Sequence, residues 1–380
     1  PTVYRDTVLV SGGFHSKEFY AFTAKEGKLV WAINLDDDGP SASACEDGVC
    51  VFNTESCTVF AVEAKTGKLL WAWWLGDPLM SAPTIANGRV FTSSPVGHGS
   101  QVQATQQHAL SQSGAPHTGQ LAPQETPPGA AASGTPHASP PRPRPPGASH
   151  ALGAFDLKTG RILWQKWIDS DVMSAPVAYG RLVYATSFAG TLYAFDQREG
   201  TILAARAVQA TSAPVVKGKT VYYTRRQDEA GEVRESIAYC KAGGGGPSGT
   251  YSKPAPYLNR SVQKSSKYDQ QSNQWDAANG FSAGAPAAAN AGVAAKLIGQ
   301  GSVSSLQAFQ GSRILSLGGL NINTMGDEVL ATDARGKKMW SLKLAGDVHQ
   351  AGGFLATAPI AAGSRILVGT LQGEVQSVDP

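Results

Sequence analysis

The chain has 380 residues, with 43 glycines, 23 prolines and only 16% charged residues. That length exceeds what one hydrophobic core ordinarily supports, so it calls for several domains or for repeats that bury their faces on one another. No run approaches the roughly 20 consecutive apolar residues of a membrane helix. A net charge of +3 without a basic block gives no reason to expect nucleic acid or an anionic membrane as partner.

The chain opens at Pro1 rather than at a methionine, so further residues are expected upstream; a signal peptide or lipoprotein leader could be among them but is not shown by this sequence, and membrane association is expected only through such an anchor, if there is one. From Pro1 onward the same predicted elements recur. A short strand, a two-residue turn and a second strand lead to a third strand that ends in Ala-Phe-Asp or a variant. A Gly-containing turn and a fourth strand follow. The third-strand end and fourth strand read AFTAKEGKLVW (Ala21 to Trp31), AVEAKTGKLLW (Ala61 to Trp71), AFDLKTGRILW (Ala154 to Trp164) and AFDQREGTILA (Ala194 to Ala204). A copy one residue shorter, ATDARGKKMW, runs from Ala331 to Trp340. Trp31 and Trp71 are 40 residues apart, as are Trp164 and Ala204.

Ser-Ala-Pro or a variant precedes the units at Pro83, Pro176, Pro214 and Pro359, while Ser43 and Gln307 are expected to replace the proline. The turns between strands one and two include Asp47-Gly48, Asn87-Gly88, Gly180-Arg181, Gly218-Lys219 and Gly363-Ser364, pairs that supply the positive φ of tight hairpins. Four-stranded units of this period predict an all-β fold, a β-propeller over residues 1–380, and exclude helical and leucine-rich solenoids. The units number seven, opening at Pro1, Ser43, Pro83, Pro176, Pro214, Gln307 and Pro359. An eighth would have to lie hidden between Cys240 and Gly301. The last unit lacks a fourth strand, which residues before Pro1 are expected to supply, so that no sheet edge is left open.

Ala154, Asp156, Thr159, Gly160 and Trp164 match in full the tryptophan-docking motif Ala-x-Asp-x-x-Thr-Gly-x-x-x-Trp. The chain thereby resembles the pyrroloquinoline-quinone-type propeller repeat family. Ala61, Gly67 and Trp71 match with Glu63 in place of Asp, and Ala21, Gly27 and Trp31 with Thr23 there; Ala331 and Trp340 belong to the shorter copy. The resemblance implies that each indole is held between units, on the motif alanine and on backbone near the glycine. A large flat side chain with one N–H suits that position. Ala204 in the tryptophan place predicts a junction weaker by a few kcal/mol.

Two insertions interrupt the period. Residues 99–150, rich in Pro, Ala and Gly, fall between strands two and three of the third unit and are expected to stay disordered. Five histidines, His98, His108, His117, His137 and His150, lie at or inside this segment. Their wide spacing, with no carboxylate or thiol cluster, favours a solvated loop over a metal tract. Residues 241–301 are Gly-, Ser- and Ala-rich but carry Tyr251, Tyr257, Tyr268, Trp275 and Phe281. These aromatics suit a partner contact, or equally a cover packed on the propeller itself.

Glu46 and Val49 flank the Asp47-Gly48 turn, which sets Cys45 opposite Cys50. A cross-strand disulfide there would mean an oxidising compartment, against the alternative of two small buried side chains. The partners of Cys57 and Cys240 stay open. Quinoprotein dehydrogenases resemble this chain in fold, but no adjacent cysteine pair occurs, and Asp156, Asp196 and Asp333 recur at repeat positions. No catalytic, cofactor or metal residues are therefore assigned. Among non-enzymatic propellers the chain resembles, in blade motif and approximate length, the lipoprotein propellers of the outer-membrane β-barrel assembly machinery, from which its two long insertions depart. This resemblance implies a monomeric, extracytoplasmic scaffold for protein partners, with a quinone-dependent oxidoreductase or its descendant as the alternative.

Overall fold

The computed structural model describes residues 1–13, 16–35, 39–54, 58–75, 82–95, 108–111, 119–123, 144–242, 248–254, 312–346, 355–370 and 373–380. Every named element among them is a β-strand, and the strands form seven sheets. The first sheet contains β1 (Thr2–Tyr4), β2 (Thr7–Ser11), β3 (Glu18–Thr23) and β4 (Leu29–Asn34), in that order. The second contains β5 (Ala44–Glu46), β6 (Val49–Asn53), β7 (Thr58–Glu63) and β8 (Leu69–Trp74). The third is built from β9 (Thr84–Ala86), β10 (Arg89–Pro95), β13 (His150–Asp156) and β14 (Ile162–Ile168). The fourth has β15 (Val177–Tyr179), β16 (Leu182–Thr186), β17 (Thr191–Asp196) and β18 (Ile202–Ala207).

The fifth sheet contains β19 (Val215–Lys217), β20 (Thr220–Glu229), β21 (Glu232–Lys241) and β22 (Ser248–Pro254). The sixth contains β23 (Ile314–Leu317), β24 (Leu320–Met325), β25 (Glu328–Thr332) and β26 (Lys338–Lys343). The seventh has only β27 (Ile360–Ala362), β28 (Arg365–Gly369) and β29 (Val375–Val378). The described residues pack as two compact units. One draws on Pro1–Arg181 and Asp196–Thr201, the other on Leu182–Phe195, Ile202–Ser282 and Gly301–Pro380.

The turns set the register. Asp47 and Gly48 both have positive φ, as do Asn87 and Gly88, which is the backbone of a type I′ hairpin. Glu46 consequently pairs with Val49, and Cys45 with Cys50. Those two cysteines form a disulfide. Inside each sheet the middle strands are the most buried: β6 has no exposed residue, and Phe52 and Phe60 are almost wholly enclosed. Phe19 stacks on Phe52 with ring centroids 4.2 Å apart and an interplanar angle of 6°, so the core between the first two sheets is aromatic.

The Ser-Ala-Pro motif has a structural reason. Strand one is only three residues long in most sheets, and its ladder continues through the motif hydroxyl. Ser41 Oγ accepts the Asn53 N–H at 3.1 Å, Ser212 Oγ the Thr224 N–H at 3.2 Å, and Thr357 Oγ1 the Gly369 N–H at 3.0 Å. The motif carbonyl accepts a hydroxyl from the preceding sheet. Thr186 donates to Ser212 O at 2.8 Å, Thr224 to Ser312 O at 2.9 Å and Thr324 to Thr357 O at 2.9 Å. Thr186, Thr224 and Thr324 are all buried.

This pattern corrects the start of the sixth unit. Ser312-Arg313-Ile314 occupies the Ser-Ala-Pro place before the Gly318-Gly319 turn, and Gln307 lies outside the described residues. The insertions also differ from expectation. Within 99–150, β11 (His108–Ser111) pairs with β12 (Gly119–Pro123), and β12 runs parallel to β4 through Gly119 and Gln120. Within 241–301, β22 is the fourth strand of the fifth sheet rather than loop. It escapes notice because SGTYSKP carries neither the tryptophan nor an apolar run.

Replacing Thr224 by Val keeps its shape but leaves the buried Ser312 carbonyl short of a donor. Thr224→Val should lower stability by about 1–2 kcal/mol in denaturant unfolding. An unchanged midpoint would mean that this bond does not couple the sheets.

Candidate functional site

The residues singled out by the repeat meet at the junctions between units. Ala21 lies directly across from Trp31, Ala61 from Trp71, Ala154 from Trp164 and Ala331 from Trp340. The residue directly across from each indole carries only a methyl group, which leaves room for the ring. Trp31, Trp71 and Trp164 are buried, and each Nε1 donates to a carbonyl of the following unit. The acceptors are Ala64 at 3.1 Å, Leu157 at 2.8 Å and Gln197 at 3.0 Å.

Each acceptor stands three residues before a glycine: Gly67, Gly160 and Gly200. A Cβ on those glycines would lie 2.8, 2.7 and 2.5 Å from the facing indole. Their φ values of +72°, +70° and +68° demand glycine a second time. The glycine of one unit is therefore the floor for the tryptophan of the unit before it. Gly27 does not share that role, because a Cβ there would meet nothing within 4 Å. Trp340 is partly buried against the Ile322, Val329, Ile366 and Val368 cluster, and its Nε1 is enclosed without an acceptor. At the fourth unit Ala204 stands across from Ala194 where the indole would be.

The repeat aspartates are committed to their own turns. Asp156 accepts hydrogen bonds from Thr159 Oγ1 at 2.7 Å, Thr159 N at 2.9 Å and Lys158 N at 3.2 Å. Partial burial pushes its carboxyl up, but those bonds and the nearby Arg161 charge outweigh burial and hold it below the ordinary 3.8. Asp196 accepts from Arg198 N and Glu199 N, and Asp333 from Arg335 N and Lys337 N.

Tyr251 is partly buried in β22, across from Ile237, against a cluster that includes Ile314, Met325 and Leu330. Tyr257, Tyr268, Trp275 and Phe281 lie outside the described residues, as does Cys57. His150 Nδ1 is 2.7 Å from Ser149 Oγ. Among the described residues no group of three or more His, Cys, Asp or Glu is placed to hold a metal ion, and no helix is long and apolar enough to cross a membrane.

Two glycine substitutions separate backbone strain from docking. Gly27→Ala adds only left-handed strain, about 1 kcal/mol. Gly200→Ala adds overlap with Trp164 as well, and should lower stability by about 2–4 kcal/mol in urea unfolding. Equal losses would remove the glycine floor from the account. Acid provides a second check. A carboxyl held low in the folded chain contributes stability above pH 3.8, and that contribution is lost as pH falls below it. The advantage of the wild type over Asp156→Asn should therefore shrink below pH 3.8; a constant difference would show that the turn bonds do not depend on ionisation.

Residues 15–236, more than half of the chain, match the family model described as outer membrane protein assembly factor BamB. Among solved structures, BamB from Moraxella catarrhalis is similar with a TM-score of 0.55 and 15% identity, over 99% of this chain and 80% of that one. At that identity the likeness speaks for the fold, a β-propeller, here with seven blades. The computationally designed Ika8 protein aligns over 100% of this chain and 95% of its own at 10% identity, with a TM-score of 0.46. No curated protein sequence matches this one. Carried by the family match over most of its first two-thirds and by the repeat geometry, the chain belongs to the outer membrane protein assembly factor BamB family.

Proposed function

We propose that this protein is a non-catalytic, extracytoplasmic scaffold that holds protein partners during outer-membrane protein assembly. The observation that carries the reading is the family match over residues 15–236. Three features of the chain support it. The repeat aspartates are engaged by turn N–H groups, the tryptophans by neighbouring units, so the recurring polar and aromatic residues serve the framework. The Cys45–Cys50 disulfide suits an oxidising compartment such as the periplasm. Apolar side chains on the outer strands, Leu203 and Met339 among them, remain exposed and free to be covered by another chain. The aromatic residues from Tyr257 to Phe281 are the proposed contact within the second insertion.

The family resemblance also favours a second reading, a quinone-dependent oxidoreductase. Two experiments on the intact protein separate them. Affinity purification from cross-linked envelope fractions should recover an integral outer-membrane assembly component, and deletion of residues 255–311 should reduce the yield. Pyrroloquinoline quinone with calcium should leave the melting temperature and the absorption spectrum unchanged. Saturable quinone binding would overturn the scaffold reading.

A further inference from the structure

The fourth unit breaks the docking rule, and the facing surface of the fifth sheet is unlike the others. Tyr222 and Ile237 point toward the sixth sheet, in the cluster with Ile314 and Met325. Val221, Tyr223 and Arg225 alternate with them on β20, so they occupy the opposite face. Cys240 stands across from Val221 and Ser236 across from Arg225 on that same face. On β18, two residues after Ala204 and hence on its face, Arg206 extends to this surface and hydrogen-bonds the Cys240 thiol. Arg225 is anchored by its Nε to Ser236 Oγ at 3.2 Å.

Tyr223 shares this face, and Arg206, Arg225 and Cys240 all act electrostatically on its hydroxyl. The residue is 0% exposed, and among the described residues its hydroxyl has no hydrogen-bond partner. Buried hydroxyls are nearly always paired, so this one marks a missing acceptor. The Arg206 and Arg225 charges both act on it, yet burial outweighs them and pushes the phenol up to about 12, so it remains a donor at neutral pH. Burial likewise raises the Cys240 thiol, against the pull of Arg206. The Tyr223 O–H is thus a donor in the field of two guanidinium groups, beside a thiol whose sulfur accepts from Arg206. A negatively charged oxygen is the chemical complement of a phenol donor beside guanidinium groups.

We infer that Tyr223, Arg206, Arg225 and Cys240 form a binding site for a small oxyanion where the fourth-unit tryptophan is missing. The ligand offers a carboxylate or phosphate oxygen to the Tyr223 hydroxyl, between the two guanidinium groups. Arg206 is only partly buried, so entry is from the β18 side. The alanine at 204 is then required by the site, because an indole there would fill it.

The test titrates the intact protein with sodium phosphate, and separately with sodium acetate, against sodium chloride at matched ionic strength. Thermal unfolding and calorimetry provide the readouts. The wild type should show saturable stabilisation by at least one oxyanion, and the preferred one tells phosphate from carboxylate. Tyr223→Phe and Arg206→Gln should each weaken the apparent affinity about tenfold, the loss expected of one charge-assisted hydrogen bond. Ala204→Trp should abolish binding without lowering the melting temperature. Equal stabilisation by chloride, or unchanged affinity in Tyr223→Phe and Ala204→Trp, would overturn the site. Should Arg206→Gln fail to fold, the other two variants decide the matter.

Discussion

The structure depends on a large indole that cannot be satisfied within its own sheet. A buried tryptophan brings more apolar area than any other side chain and one N–H that must find an acceptor. For Trp31, Trp71 and Trp164 both requirements are met by the next unit, through a carbonyl three residues before a glycine and through the bare face of that glycine. Each unit is therefore incomplete alone. A sheet of four short strands gains its stability from neighbours, which is how repeats extend a fold beyond the size of one core.

A second, polar connection runs parallel to the apolar one. Strand one is too short to complete the ladder, so a motif hydroxyl continues it, while a threonine from the preceding sheet caps the motif carbonyl. The threonine hydroxyls and motif carbonyls buried at these junctions are thereby paired. The fifth sheet keeps this polar pattern, through Ser212 and Thr224, but departs from the apolar one: Ala204 sends it no indole, and Tyr223 on the facing surface has a buried hydroxyl with no partner among the described residues. Such local exceptions in a regular repeat are where selection for something besides stability becomes visible.

Much of the fold can be read from the sequence because its signals are local. Two-residue turns fix hairpin register, and Asp47-Gly48 alone places Cys45 across from Cys50. The alanine and tryptophan of one unit are likewise local, a cross-strand pair separated by one turn. What escapes is relational. The sequence pairs Gly27 with Trp31 by proximity, whereas the glycine that meets Trp31 is Gly67 in the next unit. Thr186, Thr224 and Thr324 look like ordinary strand residues until their carbonyl partners appear. The sixth unit hides because Ile314 replaces its proline, and β22 because Tyr251 lies in its partly buried row instead of a tryptophan. Function was legible only through resemblance, since no residue pattern names a partner.

The central claim is that Trp71 and Gly160 are one contact shared by two units. A double-mutant cycle on stability measures it directly. Trp71→Ala alone should cost about 3–5 kcal/mol, and Gly160→Ala alone should cost strain plus overlap with the indole. If the account holds, the double variant is distinctly more stable than the sum of the two losses predicts, because removing the indole gives the new Cβ its room. Strict additivity would contradict it.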